Sequence, residues 1–326
     1  MSDPDTAQDP AFPVPPALPG IPGMRPAAAP HLLGRGWDNE MHLLGQLADG
    51  TRVVLRQPHR ALGREILRHE IAVLPRIAAL LDRERAPAFL VPRVLATIGE
   101  DERGGPAAVV TWIDGEVVAD AVLRADAART ARLAARLGRA LAALHRPAPA
   151  EHRRSTFRGV PLAAIRDRAA ADLATLRGSD PALRPAPEHL CVIEREMRRG
   201  LAAPPWDGPD LLLHGDPHPA NLVETPEGEL GLIDWGDTTA GDPASDAGQL
   251  FVLDPGGAAW RAYRDAREPH GDPEALETRS RAWAVRFAGL IIAHAVSGGD
   301  GAQAPLEACA RRLLSAWSAD QALSPR

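Results

Sequence analysis

The sequence predicts an α+β chain in two parts, a small antiparallel β-rich lobe followed by a larger, mainly helical one. Three observations carry that expectation. Between residues 31 and 113, short apolar runs alternate with turn residues, with one helical stretch among them. After Gly115 the apolar spacing becomes that of helices. A length of 326 residues with 45% apolar content suffices for two lobes, each with a core.

Taken in order, residues 1–30 hold nine prolines and no periodicity, and read as a disordered, Pro-rich tail. Residues 31–115 form the first lobe. Strands are expected at 31–35, 40–47 and 51–57, with Asp49-Gly50 supplying the tight turn between the last two. An amphipathic helix spans 61–74 through Leu62, Ile66, Leu67, Ile71 and Leu74 and stops at Pro75, followed by a short second helix to about 85. Apolar runs at 91–98 and 107–113 flank the turn-rich 99–106 and read as another hairpin. Residues 116–326 form the second lobe. Leu133, Leu137, Leu141 and Leu144 lie on one face of a helix over 126–145, which Pro147 and Pro149 end. Helical pattern recurs at 161–177, at 186–200 and from 256 onward, and short strands are expected at 211–213, 222–224 and 229–233.

Composition removes several kinds of chemistry. All 37 basic residues are arginine. A G+C-rich genome can produce that bias, but its consequence is firm: no Schiff-base lysine, Ser–Lys dyad or Walker-A phosphate loop is available. Two cysteines are too few for a disulfide framework or a thiolate zinc site, and suit a reducing cytoplasm. No apolar run approaches the roughly 18 residues of a membrane span, and the N-terminus lacks the pattern of a signal peptide. A net charge of −6 argues against nucleic-acid binding. The expected protein is cytoplasmic and monomeric, with a small-molecule partner.

The charge is uneven. Residues 201–250 hold ten acids and no arginine, so their carboxylates must be solvated or meet an outside cation. Within this run stands His214-Gly215-Asp216-Pro217-His218-Pro219-Ala220-Asn221, and after it Leu232-Ile233-Asp234-Trp235-Gly236-Asp237. Asp216 and Asn221 share one loop between apolar strands, and a hairpin at 226–228 can return Asp234 beside them. A carboxylate and an amide oxygen suit Mg²⁺, leaving Asp216 to orient or deprotonate a hydroxyl. His214 and His218 invite a zinc reading, but the flanking prolines preclude the helix that would pair them.

His-Gly-Asp-x-x-x-x-Asn followed by Ile-Asp-Trp-x-Asp resembles the aminoglycoside phosphotransferase family, whose fold is similar to that of protein kinases. The resemblance covers about residues 31–320 and implies a protein-kinase-like two-lobed fold enclosing ATP or GTP with Mg²⁺. It implies Asp216 as catalytic base and Asn221 and Asp234 as metal ligands. For the nucleotide it implies the glycine loop with Gly34 and Gly36, strand residue Arg56 with helical Glu70, and the interlobe connection with Val110 and Trp112. Arg56 departs from the family's lysine, though a guanidinium can bind both phosphate and carboxylate. Either Asp242 or Asp246 is expected to brace the catalytic loop.

The acceptor expected from the resemblance is aminoglycoside-like, and an acidic pocket after residue 255 would favour such a polycation. Most of the candidate acids there, Asp265, Glu268, Asp272, Glu274 and Glu277, read as solvated helix faces, and Trp260, Tyr263 and Trp283 as core. The alternatives are a kinase of a macrolide or other small metabolite, a pseudokinase-like nucleotide-binding module, and an acidic metal-binding structural protein.

Overall fold

The computed structural model describes residues 20–83, 88–99, 106–299 and 303–323. The chain divides into two units, Met1–Gly115 with Gly231–Asp237, and Glu116–Leu230 with Thr238–Arg326. The segment carrying Asp234 therefore belongs with the first unit, although it follows 115 residues of the second.

The first unit is built on strands β1 (Arg25–Arg35), β2 (Asn39–Gln46) and β3 (Arg52–Pro58), helix α1 (Ala61–Leu81), and strands β4 (Val94–Ile98) and β5 (Ala107–Thr111). The sheet is antiparallel, in the order β1-β2-β3-β5-β4. Strand β3 is central, and its alternation sets the two faces. Val53 and Leu55 join Leu44, Ala107 and Val109 on one side; Val54 joins Ala108, Val110 and Leu67 of α1 on the other. With a side-chain period of two, Arg56 falls on the α1 side with Val54.

Two expectations for this unit need correction. Residues 25–30 are the first half of β1, whereas 1–19 lie outside the described residues. Pro26 and Pro30 are tolerated because β1 is an edge strand. At Gly45 a Cβ would fall 2.2 Å from the Arg25 carbonyl oxygen, so glycine lets the strands close. Helix α1 does not stop at Pro75 but runs through it to Leu81. The proline removes one i→i−4 bond, and burial of Leu74, Ile77, Ala78 and Leu81 offsets that loss. The hairpin turn expected at 99–106 lies largely outside the described residues, and the separate second helix expected to about 85 is instead the last part of α1, which ends at Leu81.

The second unit begins with β6 (Glu116–Val117), α2 (Val118–Arg124) and α3 (Ala127–Leu144), followed by α4 (Arg166–Gly178) and α5 (Pro187–Ala202). Strands β7 (Leu211–Leu213) and β8 (Leu222–Glu224) come next, then β9 (Leu230–Leu232), which leads into the Gly231–Asp237 segment. Strand β10 (Thr239–Gly241) returns to pair with β7, and β8 pairs with β6. Helices α6 (Ala244–Leu253), α7 (Ala258–Ala266), α8 (Pro273–Val296) and α9 (Ala304–Leu323) complete it. Every residue of α6 is buried, which makes it the axis around which α8 and α9 pack. Helices α3 and α7 approach closely at Gly138, where a Cβ would meet the Ala259 carbonyl oxygen at 2.4 Å. Among the described residues no helix is long and apolar enough to cross a membrane.

Candidate active site

In the first unit the strand period aims Arg56 at α1, and the helix presents Glu70 one turn beyond Ile66. The two side chains meet at 3.0 Å and are 7% and 3% exposed, so this is a buried ion pair rather than a surface one. The same Arg56 Nη2 donates to Asp234 Oδ1 at 2.6 Å, and the Trp235 N–H donates to Glu70 Oε1 at 3.4 Å. Burial pushes the Glu70 carboxyl up to about 7 against the pull of Arg56, with Asp234 adding to the rise. For Arg56 burial works against the charge, but Glu70 and Asp234 outweigh it and hold the pKa above its ordinary value.

Asp234 has φ of +65°, a left-handed conformation that Asp tolerates better than most residues. The backbone can turn there because Gly236 lets α1 approach. A Cβ at Gly236 would lie 2.1 Å from Ile66 Cγ2. The Asp234 side chain remains 45% exposed.

Gly34 pairs with Met41 within the sheet, and a Cβ there would meet nothing within 4 Å. Gly36 opens the β1–β2 turn, its N–H donating to the Asn39 carbonyl at 2.8 Å while its own carbonyl lies 3.1 Å from His59 Nε2. The turn also holds Asp38, a residue that sequence reasoning passed over. Burial raises its pKa, Arg60 opposes, and Asp234 adds repulsion. Val110 is part of the sheet core. The Trp112 N–H already donates to the Arg52 carbonyl at 2.8 Å, so this amide is not the group offered to a purine.

In the second unit, β7 delivers the chain into the His214–Asn221 loop. Asp246, fully buried on α6, accepts from the His214 N–H at 2.8 Å and the Gly215 N–H at 3.1 Å. It is Asp246, then, that braces the loop. Asp242 instead pairs with Arg279 at 2.9 Å and caps α6 through the Ala244 N–H. His214 Nδ1 accepts from the Asp216 N–H at 3.3 Å, a local role toward the backbone. Asn221 Nδ2 donates to the Asp216 carbonyl at 3.0 Å. The Asp216 carboxylate meets Arg158 Nη2 at 2.9 Å, and His218 Nε2 lies 3.5 Å away. Arg158 carried no signal in the sequence; it arrives from a loop tied to α6 by the Gly159 N–H to Ser245 Oγ bond.

Among the described residues no three His, Cys, Asp or Glu side chains converge as a metal cage. Each unit separately offers an oxygen of the kind that Mg²⁺ takes. Asn221 spends its nitrogen on the Asp216 carbonyl, which leaves the amide oxygen as the offered atom, and Asp234 offers a half-exposed carboxylate. Few protein oxygens, with water and phosphate completing the shell, is the usual way this ion is held. Trp260 and Tyr263 are core, the latter bonded to His145 at 2.8 Å, while Asp265 and Glu268 are solvated.

The model of the phosphotransferase enzyme family matches residues 31–286. No curated protein sequence matches the chain. Among solved structures, the GDP and kanamycin complex of APH(2")-IIia is similar with a TM-score of 0.61 and 17% identity, over 90% of this chain and 94% of that one. The GDP complex of wild-type aminoglycoside 2'-phosphotransferase-IIIa gives 0.58 and 19%, over 90% and 93%. Macrolide 2'-phosphotransferase MphH from Brachybacterium faecium gives 0.53 and 21%, over 88% and 94%. The β-rich first unit, the helical second unit and the matched residues together place the chain in the phosphotransferase enzyme family, and it is a member of it.

Proposed function

We propose that this enzyme moves the γ-phosphoryl group of ATP or GTP to a hydroxyl of a small molecule, with Asp216 as base and with Asn221 and Asp234 as the oxygen donors to Mg²⁺. The observation that carries the reading is Arg56, a buried guanidinium held between Glu70 and Asp234. A fixed cation beside a half-exposed carboxylate is the equipment that phosphoryl transfer asks for, since its catalysis is mostly positioning and charge neutralisation.

The acceptor oxygen forms a bond to the γ-phosphorus as the bond to the β-phosphate oxygen breaks. The nucleoside diphosphate leaves with that electron pair, and the hydroxyl proton passes to Asp216 and then to water. Arg158 and the braced loop fix the Asp216 carboxylate for this role. Arg56 holds the α- and β-phosphates through its fork, and the turn at Gly34 and Gly36 covers them with backbone. When bound, Mg²⁺ supplies charge neutralisation of the phosphates. With the Trp112 N–H committed to Arg52, the purine would take the Trp112 carbonyl and the amides after it. Unpaired Cys191 and Cys309 fit a cytoplasmic enzyme.

The ligands named for related folds include kanamycin, and that is the ground for expecting an aminoglycoside-like acceptor; a macrolide or another small metabolite is the alternative. The test is formation of ADP from ATP and of GDP from GTP with Mg²⁺, with and without hydroxyl acceptors, in the wild type and in Asp216→Asn. Acceptor-dependent formation that Asp216→Asn removes is the expected result. Nucleotide binding with no acceptor-dependent formation would leave a nucleotide-binding module instead.

A further inference from the structure

The second unit contains a cavity of about 140 Å³ whose lining includes Arg158, Arg168, Arg286, Gln249, Trp283 and Phe287. Two of these residues tie it to the proposed base. Arg158 holds Asp216 Oδ1 at 2.9 Å, and the Phe287 ring lies 5.6 Å from that of His218, which itself approaches the Asp216 carboxylate.

The charge at this cavity is positive. Asp216 balances Arg158, and Asp172 balances Arg286 at 3.2 Å. Arg168 has no ion-pair partner among the described residues, and its guanidinium lies 5.8 Å over the Phe157 ring that Arg158 also faces. Burial lowers the Arg286 pKa, and although Asp172 opposes, repulsion from Arg158 and Arg168 adds to the fall, so the guanidinium groups sense one another. Two further polar atoms are unsatisfied. Trp283 Nε1 and Gln249 Oε1 are buried without a hydrogen-bond partner, on side chains 5% and 3% exposed. A buried donor and a buried acceptor lining one cavity are costly unless a ligand meets them.

We propose that this cavity receives the acceptor, and that the acceptor is a compact hydroxy acid rather than a polycation. Its anionic group faces Arg168 and Arg286, its apolar part lies against Phe157, Trp283 and Phe287, and its hydroxyl is directed to Asp216. Trp283 Nε1 donates to an acceptor oxygen, and Gln249 Oε1 accepts from a hydroxyl. Size points the same way: pockets for drug-sized ligands run to roughly 300–1,000 Å³, well above this volume. A polycation would instead set its ammonium groups against surplus positive charge. The product is the phosphate monoester of the hydroxy acid, with the proton leaving through Asp216. This inference rests on the kinase reading above and takes its small-metabolite alternative in place of the aminoglycoside-like acceptor.

The test uses the full chain with phenyllactate and glycerate as carboxylate probes, glycerol 3-phosphate as a phosphate probe, and kanamycin as the polycation. Calorimetry and tryptophan emission follow binding, and nucleoside diphosphate formation follows turnover. Hydroxy-acid binding should change the emission in the wild type but not in Trp283→Phe, and should weaken with salt. Arg168→Gln, an exposed position, should raise the acceptor KM about tenfold with kcat little changed, and Arg168→Lys should recover part of it. A preference for glycerol 3-phosphate over glycerate would assign the anion as phosphate. If kanamycin is phosphorylated in an Asp216-dependent way and Arg168→Gln is neutral, the acceptor class is overturned and the kinase reading stands. If the acids bind and Arg168→Gln weakens them, but no acceptor supports turnover, the kinase reading falls and the anion site remains. Absence of any acid binding overturns the inference outright.

Discussion

Arg56 Nη2 lies 2.6 Å from Asp234 Oδ1, a contact between residues 178 positions apart that fastens the Gly231–Asp237 segment to the sheet of the first unit. Glu70 holds the same nitrogen at 3.0 Å. One guanidinium thus serves a strand, a helix and a turn. The amine of a lysine, a point charge without a planar fork, would serve the same partners with less geometric control.

Arg56→Ala should lower both thermal stability and nucleotide affinity. Removing one partner of a buried pair costs about 3–5 kcal/mol, partly relieved here because Glu70 can take up a proton. Arg56→Lys should recover part of the affinity. Arg35 is the rival phosphate ligand, but it is 40% exposed and paired with Glu40 at 3.3 Å. Its alanine variant should stay within about 1 kcal/mol of wild type in stability and bind nucleotide normally. Calorimetry with a non-hydrolysable nucleotide ranks the two; a neutral Arg56→Ala with a defective Arg35→Ala would reverse the assignment.

The pH dependence of the free protein follows from Glu70. Its carboxyl has an ordinary value of 4.5 and is pushed up to about 7 in the fold, so between those values the folded state binds more protons than the unfolded one. The contribution is therefore fully present below pH 4.5 and is lost as pH rises through about 7. Glu70→Gln should flatten the Tm–pH curve over that window relative to wild type. Parallel curves for the two proteins would place the titration elsewhere.

Asp234 combines a charge with a left-handed backbone, and two substitutions separate them. Asp234→Asn keeps a residue that tolerates φ of +65° but removes the charge, so stability should hold within about 1 kcal/mol while the Mg²⁺ requirement rises and activity falls. Asp234→Ala should lose the same activity and a further ~1 kcal/mol from the strained backbone. Urea denaturation alongside Mg²⁺ titration of turnover reads both effects. An unchanged Mg²⁺ dependence in Asp234→Asn would move the ion away from this residue.

What was legible in the sequence was whatever rests on local pattern. The spacing of leucines in 127–144 and the turn at Asp49-Gly50 reappear as α3 and the β2–β3 hairpin. Pro75 misled because its local penalty is outweighed by the apolar face that continues past it, and only the fold reveals that face as buried. Strand β10 has three residues and exists through pairing with β7, so nothing in its own composition announces it. The pairing of Arg56 with Glu70 came from the family resemblance, which sets a cation of the third strand against a helical glutamate, and its burial showed only in the fold. The contact of Arg158 with Asp216 was not, because it joins two loops 58 residues apart without a motif. The arginine-lined cavity was hidden for the same reason: its residues come from four separated segments.

Asp246 offers the strictest test of how the proposed base is held. Its carboxylate is fully buried, accepts two backbone N–H bonds from His214 and Gly215, and lies 3.4 Å from His145 Nε2. Asp246→Ala orphans both amides, each worth about 1–3 kcal/mol, so a loss of roughly 2–6 kcal/mol is expected. Asp246→Asn retains an acceptor for one amide and turns a donor toward the other, and should lose less. The Asp216→Asn variant should lose little stability, because the site is partly exposed and the amide oxygen can still accept from Arg158 Nη2. Its defect should appear in kcat, with nucleotide affinity within a few-fold, since the base acts on the acceptor hydroxyl. Denaturant melts and steady-state kinetics on the same three proteins separate the roles. Loss of nucleotide binding in Asp216→Asn equal to its loss of kcat would move Asp216 among the phosphate and metal ligands.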